Sequence, residues 1–143
     1  MAEVRVSVRI DAPAARVWRA LCDPAEVWAW DGARPYGVPV DYPRPGQHAR
    51  WRVRLGRRER TLHDRVRAVE PHRRLAARIT YGPVDLDEEY RLVPLGPQAV
   101  ELTSANVVRA RWPLGRTGRV EALTREAVEA ALGRLKAWCE NDP

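Results

Sequence analysis

Residues 3–32, EVRVSVRIDAPAARVWRALCDPAEVWAWDG, decide the fold when they are read against residues 117–140, TGRVEALTREAVEAALGRLKAWCE. Val4, Val6, Val8 and Ile10 alternate with Glu3, Arg5, Ser7 and Arg9, the period of two that marks a half-buried strand. Asp11-Ala-Pro13 then opens a short helix through Val17, Trp18 and Leu21. Asp23-Pro24 opens a second, with Pro24 at the first helical position and Asp23 with Glu26 set for an acidic capping box; it ends at an Asp31-Gly32 turn. In the closing segment Val120, Leu123, Ala127, Val128, Ala131, Leu132, Leu135 and Trp138 recur at spacings of three and four, one apolar stripe of a long helix starting at Gly118. A rod of that length, at ~1.5 Å per residue, crosses a whole sheet. A strand, two short helices, a run of strands and a closing helix predict a sheet wrapped around that helix with a cavity between them.

The middle of the chain supplies the strands. Residues 34–46 are rich in proline, which keeps them out of a central strand, so a loop with a short edge strand near 37–42 is expected. Ala49, Trp51, Val53 and Leu55 then alternate with arginines, and Gly56-Arg-Arg-Glu59 turns the chain. Leu62, Asp64, Val66 and Ala68 face one way, with His63, Arg65 and Arg67 on the other side. Three further inward rows follow: Leu75, Ala77, Ile79, Tyr81; then Leu86, Glu88, Tyr90, Leu92; then Val100, Leu102, Ser104, Asn106, Val108. Gly82-Pro83 and Pro94-Leu-Gly-Pro97 are the turns between them. Closing these turns tightly sets Trp51 opposite Asp64, Val53 opposite Leu62, Ala77 opposite Glu88, and Glu88 opposite Ser104, with Leu86 opposite Asn106.

Composition bounds the function. The 143 residues fit one domain, 1–143, with 45% hydrophobic and 31% charged residues. No apolar run reaches the roughly 18 residues that a membrane span needs. The start Met1-Ala-Glu-Val-Arg carries no apolar leader, so a cytoplasmic location is expected. Net charge is +6, but Lys136 is the only lysine among 25 basic residues, and the arginines are interleaved with acids, which argues against specific nucleic-acid binding. Cys22 and Cys139 match no metal spacing and read as free buried thiols; His48, His63 and His72 have no zinc-type partners. No glycine-rich phosphate loop or nucleotide fingerprint follows a strand, so no cofactor and no metal are expected. Oligomeric state is left open.

The first strand running into Ile10-Asp-Ala-Pro-Ala-Ala-Arg-Val-Trp-Arg-Ala-Leu21, then Asp23-Pro24, Trp28 and Trp30, Val66-Arg-Ala-Val-Glu-Pro-His-Arg-Arg-Leu75 and the terminal helix, resemble the START-like or Bet v 1-like (SRPBCC) superfamily, which includes polyketide cyclase/dehydrase and lipid-transport proteins. The resemblance implies an α+β helix-grip fold: a curved antiparallel sheet of about seven strands around a long C-terminal helix, two short helices after the first strand, and a hydrophobic cavity. It carries no catalytic signature, since the superfamily hosts binders, enzymes and co-chaperones.

An apolar cavity with a few convergent polar groups suits a small molecule. The expected partner is therefore a hydrophobic ligand, such as a lipid, isoprenoid or polyketide-like compound, lined by Trp28, Trp30, Trp51, Tyr81, Tyr90, Ser104, Asn106 and Trp112. Trp18 and Trp138 read as core. Glu88 and Asp64, desolvated there, are candidate acid–base groups for a cofactor-free cyclase or dehydratase. The alternative is that they line the pocket without chemistry, hydrated or paired with Arg60 or Arg109. A third reading is a co-chaperone-like module acting through the face of Arg50, Arg52, Arg54, Arg65 and Arg67, which otherwise reads as solvated.

Overall fold

The computed structural model describes residues 2–110 and 117–141. Strand β1 (Ala2–Ile10) leads into helices α1 (Ala14–Cys22) and α2 (Pro24–Asp31). Strands β2 (Arg34–Gly37), β3 (His48–Leu55), β4 (Arg58–Glu70), β5 (Arg74–Tyr81), β6 (Val84–Gly96) and β7 (Ala99–Ala110) follow, and α3 (Thr117–Glu140) closes the chain. The strands form one curved antiparallel sheet in the order β1-β7-β6-β5-β4-β3-β2, so the first strand closes onto the last. Alternation puts the apolar row of each strand on the inner face, where Leu132, Leu135 and Cys139 of α3 pack against Ile10, Leu75, Leu92, Val100 and Leu102. This is the helix-grip arrangement.

The register departs from expectation by an even step. The β3–β4 turn is two residues long, with Leu55 opposite Arg58, so Trp51 faces Leu62 and Ala49 faces Asp64. The β6–β7 turn also lies further on: β6 runs through Pro94 to Gly96, which places Glu88 opposite Asn106 and Tyr90 opposite Ser104. The pairing of Ala77 with Glu88 is as expected, closed by Gly82 at φ +52°, a conformation that glycine tolerates best. A slip of two preserves every face, whereas a slip of one reverses them. One face does change. A bulge in β4 between Val66 and Ala68 passes the inward position from Ala68 to Val69.

Other local expectations are corrected by longer-range contacts. The edge strand is residues 34–37 rather than 37–42, because the later prolines leave 38–47 as loop. Pro13 takes the cap position of α1, with no side-chain cap bond, while Asp11 pairs with Arg9 at 2.9 Å. Asp23 caps α2 by accepting from the Ala25 N–H. Glu26 does not complete the capping box. It accepts instead from Arg16 of α1, Arg19 and Trp138 Nε1 of α3, a partly exposed polar clasp joining the three helices. That contact draws Trp138 to the surface, 38% exposed, rather than into the core. Leu123 is 56% exposed and Ala127 also faces solvent, so α3 packs mainly through its second half. It begins at Thr117, with Gly118 already inside the helix.

Candidate functional site

The inner face does not close into one continuous core. One apolar cluster joins α1, Trp30 and α3 to β1, β6 and β7; a second gathers Ala33, Ala49 and Trp51; a third gathers Ala77, Ile79 and Leu86. Along the inner rows of β4, β6 and β7, Asp64, Glu88, Ser104 and Asn106 interrupt the apolar surface. Ser104 and Asn106 are buried and satisfy one another, the Asn106 amide donating to Ser104 Oγ at 3.0 Å.

Asp64 is the most constrained group there. Its side chain is buried, 5% exposed, and Oδ2 accepts from Tyr42 Oη at 2.7 Å and from Trp51 Nε1 at 3.2 Å. Tyr42 reaches it from the proline-rich loop, its ring edge-on to Trp51 with centroids 5.6 Å apart. Oδ1 is buried and has no hydrogen-bond partner. Burial raises the Asp64 pKa against the opposing effect of those two donors. Glu88 lies deeper in the electrostatic sense: burial, then the nearby Asp64 and Asp31 carboxyls, push its pKa up to about 8. Its residue nevertheless keeps some accessible surface.

Asp31, the last residue of α2, joins this group. Burial raises its pKa, with Arg134 opposing from 3.9 Å. Gly32, at φ +85°, ends the helix there and aims the chain toward β2. Tyr90 and Tyr81 are likewise pushed up, by burial first and then by the Glu88 charge. The Glu88 charge thus reaches Tyr42, Tyr81 and Tyr90, and Asp64 and Asp31 reach Glu88.

The expected tryptophans divide. Trp51 reaches Asp64, as above. Trp30 is core: it is buried and donates from Nε1 to the Ala20 carbonyl at 2.8 Å. Trp28, on α2, is 53% exposed and belongs to none of the buried clusters. Trp112 lies outside the described residues. Trp18 packs beside the main core, edge-on to His72. Arg109 pairs with Asp87 at 3.2 Å, and neither it nor Arg60 contributes to the shifts of Glu88 or Asp64. Tyr42 and Asp31 were not anticipated, since a loop tyrosine and a helix-terminal aspartate belong to no periodic row.

Two features lie outside this interior. A groove of about 510 Å³ between the helices is lined by Arg16, Trp30, Arg134 and Trp138, the first and last of which donate to Glu26. On the outer sheet face, His48 and His63 share a 2.8 Å hydrogen bond beside arginines that are partly paired, as in Arg52–Glu59 and Arg67–Asp87. Among the described residues no cluster of three or more His, Cys, Asp or Glu is arranged to hold a metal, and no helix is long and apolar enough to cross a membrane. Cys22 and Cys139 are free and buried, and burial pushes the Cys22 thiol up to about 12.

A curved sheet gripping a terminal helix, over an apolar interior with few polar groups, defines a START-like protein. The chain belongs to the family described as polyketide cyclase / dehydrase and lipid transport, whose model matches residues 1–140. That membership supports a role in hydrophobic-ligand or polyketide-related biochemistry. Among solved structures it is similar to DynU16, described as a putative protein in the dynemicin biosynthetic locus, at 28% identity and TM-score 0.75 over 97% of this chain. The match spans 47% of that chain. CalU16 from Micromonospora echinospora matches at 24% identity and TM-score 0.72, over 99% of this chain and 76% of the other. A START superfamily protein from Mycobacterium smegmatis shares the fold at 17% identity and TM-score 0.81, over 96% and 97%. No curated protein matches.

Proposed function

We propose that the protein binds a hydrophobic small molecule, of lipid, isoprenoid or polyketide-like character, between the sheet and α3. The observation that carries this reading is the buried Asp64 carboxylate, held through Oδ2 by Tyr42 and Trp51 while Oδ1 has no partner, on an inner face that is mostly apolar. Such a fixed polar group orients a ligand whose affinity comes from apolar contact. Native mass spectrometry of freshly purified protein, followed by organic extraction, tests it. A reproducible co-purifying apolar compound is expected. An empty protein that also fails to bind the neutral fluorophore N-phenyl-1-naphthylamine contradicts the reading.

A second reading is favoured by Glu88 alone. A carboxyl with its pKa pushed up to about 8 exchanges its proton near neutral pH, as a general acid or base must. With Asp64 two strands away on the same inner face, Glu88 is suited to remove a proton from carbon and return one to a departing hydroxyl, the steps of an aldol-type cyclisation and dehydration. The family's description as polyketide cyclase / dehydrase makes poly-β-ketone compounds the first screen. Turnover that falls sharply in Glu88→Gln, and less in Asp64→Asn, supports the enzyme. Equal turnover in wild type and both variants removes it.

A further inference from the structure

We infer that the interior site selects an apolar ligand bearing a protonated amine, its ammonium seated against Asp64 Oδ1 and the Glu88 carboxyl. This rests on the ligand-binding reading and adds the charge of the ligand.

Asp64 is more than nine-tenths buried, on the inner face of β4, and both protein donors that reach it go to Oδ2. Oδ1 is an acceptor removed from water with nothing donating to it. Buried acceptors in finished cores find a partner, so an orphan inside a ligand fold marks a place where the partner comes from outside.

The surrounding charge narrows what that partner is. Asp64 and Asp31 both act on Glu88, which stands on β6, two strands from Asp64 of β4 on the same inner face. Tyr42, Tyr81 and Tyr90 add hydroxyls rather than positive charge. Among the described residues, the one basic side chain acting on these carboxyls is Arg134, 3.9 Å from Asp31 and half exposed. The chain carries 25 basic residues against 19 acidic ones, yet the described ones leave Asp64 and Glu88 without a counter-charge. Asp31 also ends α2, where the terminal carbonyls carry partial negative charge of the same sign.

A ligand carboxylate meets repulsion at this place, and a ligand that offers only acceptors leaves Oδ1 unpaired. An ammonium supplies up to three donors and the missing positive charge together, in charge-assisted bonds to carboxylates. Its arrival draws Glu88 into the ionised form, and the Glu88 proton leaves to solvent. Chemistry and charge therefore balance as ammonium plus neutral carboxyl going to an ion pair plus one released proton.

The test displaces N-phenyl-1-naphthylamine from the full chain at pH 7 with three ligands of one chain length: decylamine, 1-decanol and decanoate. Decylamine is expected to displace the fluorophore at a concentration about tenfold or more below 1-decanol, with decanoate weakest. Glu88→Gln and Asp64→Asn are each expected to collapse the amine-to-alcohol ratio. Should either variant fail to fold, wild-type calorimetry in phosphate and in Tris serves instead, because proton release makes the decylamine enthalpy depend on the buffer and the 1-decanol enthalpy not. If 1-decanol competes as well as decylamine, the amine assignment is overturned while the ligand-binding reading stands. If the fluorophore does not bind and no ligand is taken up, both fall.

Discussion

At the scale of the residue, Glu88 turns an interior carboxyl into a pH-dependent property of the fold. Its folded pKa is raised, from 4.5 to about 8, chiefly by burial. Below pH 4.5 the group is protonated in both states and contributes no difference. As pH rises from 4.5 to 8 the unfolded chain releases this proton and the folded one keeps it, so stability falls through that window and levels off above it. Urea melts of wild type and Glu88→Gln are expected to converge near pH 4 and to separate by pH 8.5, the variant being the more stable by on the order of 3 kcal/mol. A constant difference across the range contradicts the interior placement. The inward positions of Asp64, Glu88, Ser104 and Asn106 were legible because a period of two survives an even slip in register. The positions of Tyr42 and Asp31 were not, because what brings them to Asp64 and Glu88 is the path of a proline-rich loop and the end of a short helix, which leave no repeat in the sequence.

At the scale of the element, the three helices are tied by one carboxylate. Burial alone would raise the Glu26 pKa, but hydrogen bonds from Trp138, Arg16 and Arg19 hold it below the ordinary value. With its folded pKa depressed, Glu26 stabilises the fold above about pH 4.5, and that contribution is lost as pH falls through the folded value. Glu26→Ala removes the acceptor shared by Arg16, Arg19 and Trp138 and is expected to cost about 3 kcal/mol at pH 7 in a urea melt. Amide exchange is expected to quicken in the last two turns of α3, where Trp138 loses its acceptor. Trp30→Ala, which opens a cavity and leaves the Ala20 carbonyl unpaired, is expected to cost about 3–5 kcal/mol. A local capping rule read Glu26 as bonded to its own helix start, and an apolar-stripe rule read Trp138 as core. Both were displaced by a contact spanning 112 residues, which no local spacing encodes. The order of elements, by contrast, was legible from end to end, since strand and helix periods are local.

At the scale of the whole molecule, the sheet is closed around α3 at one end and interrupted by polar groups in the middle. The second half of α3 fills the grip with Leu132, Leu135 and Cys139, while much of its first half, including Leu123, is exposed. Large inner-face residues thus seal one end, and small ones such as Ala49 and Ala77 line the region near Asp64 and Glu88. The family was legible in the N-terminal strand–helix–helix run and the terminal helix; the ligand was not, because shape and charge are assembled from rows about 20 residues apart.

The central claim is that space for a ligand lies against Ala77 and Glu88, and filling that space tests it most directly. Ala77→Phe places a ring on the inner face of β5, opposite Glu88. If the interior is a cavity, the variant keeps its melting temperature within about 2 °C and loses about tenfold or more in affinity for N-phenyl-1-naphthylamine. If the interior is closed core, overpacking costs about 1–3 kcal/mol and lowers the melting temperature by several degrees, while wild type itself takes up no fluorophore. The first result is the one predicted; the second contradicts the account.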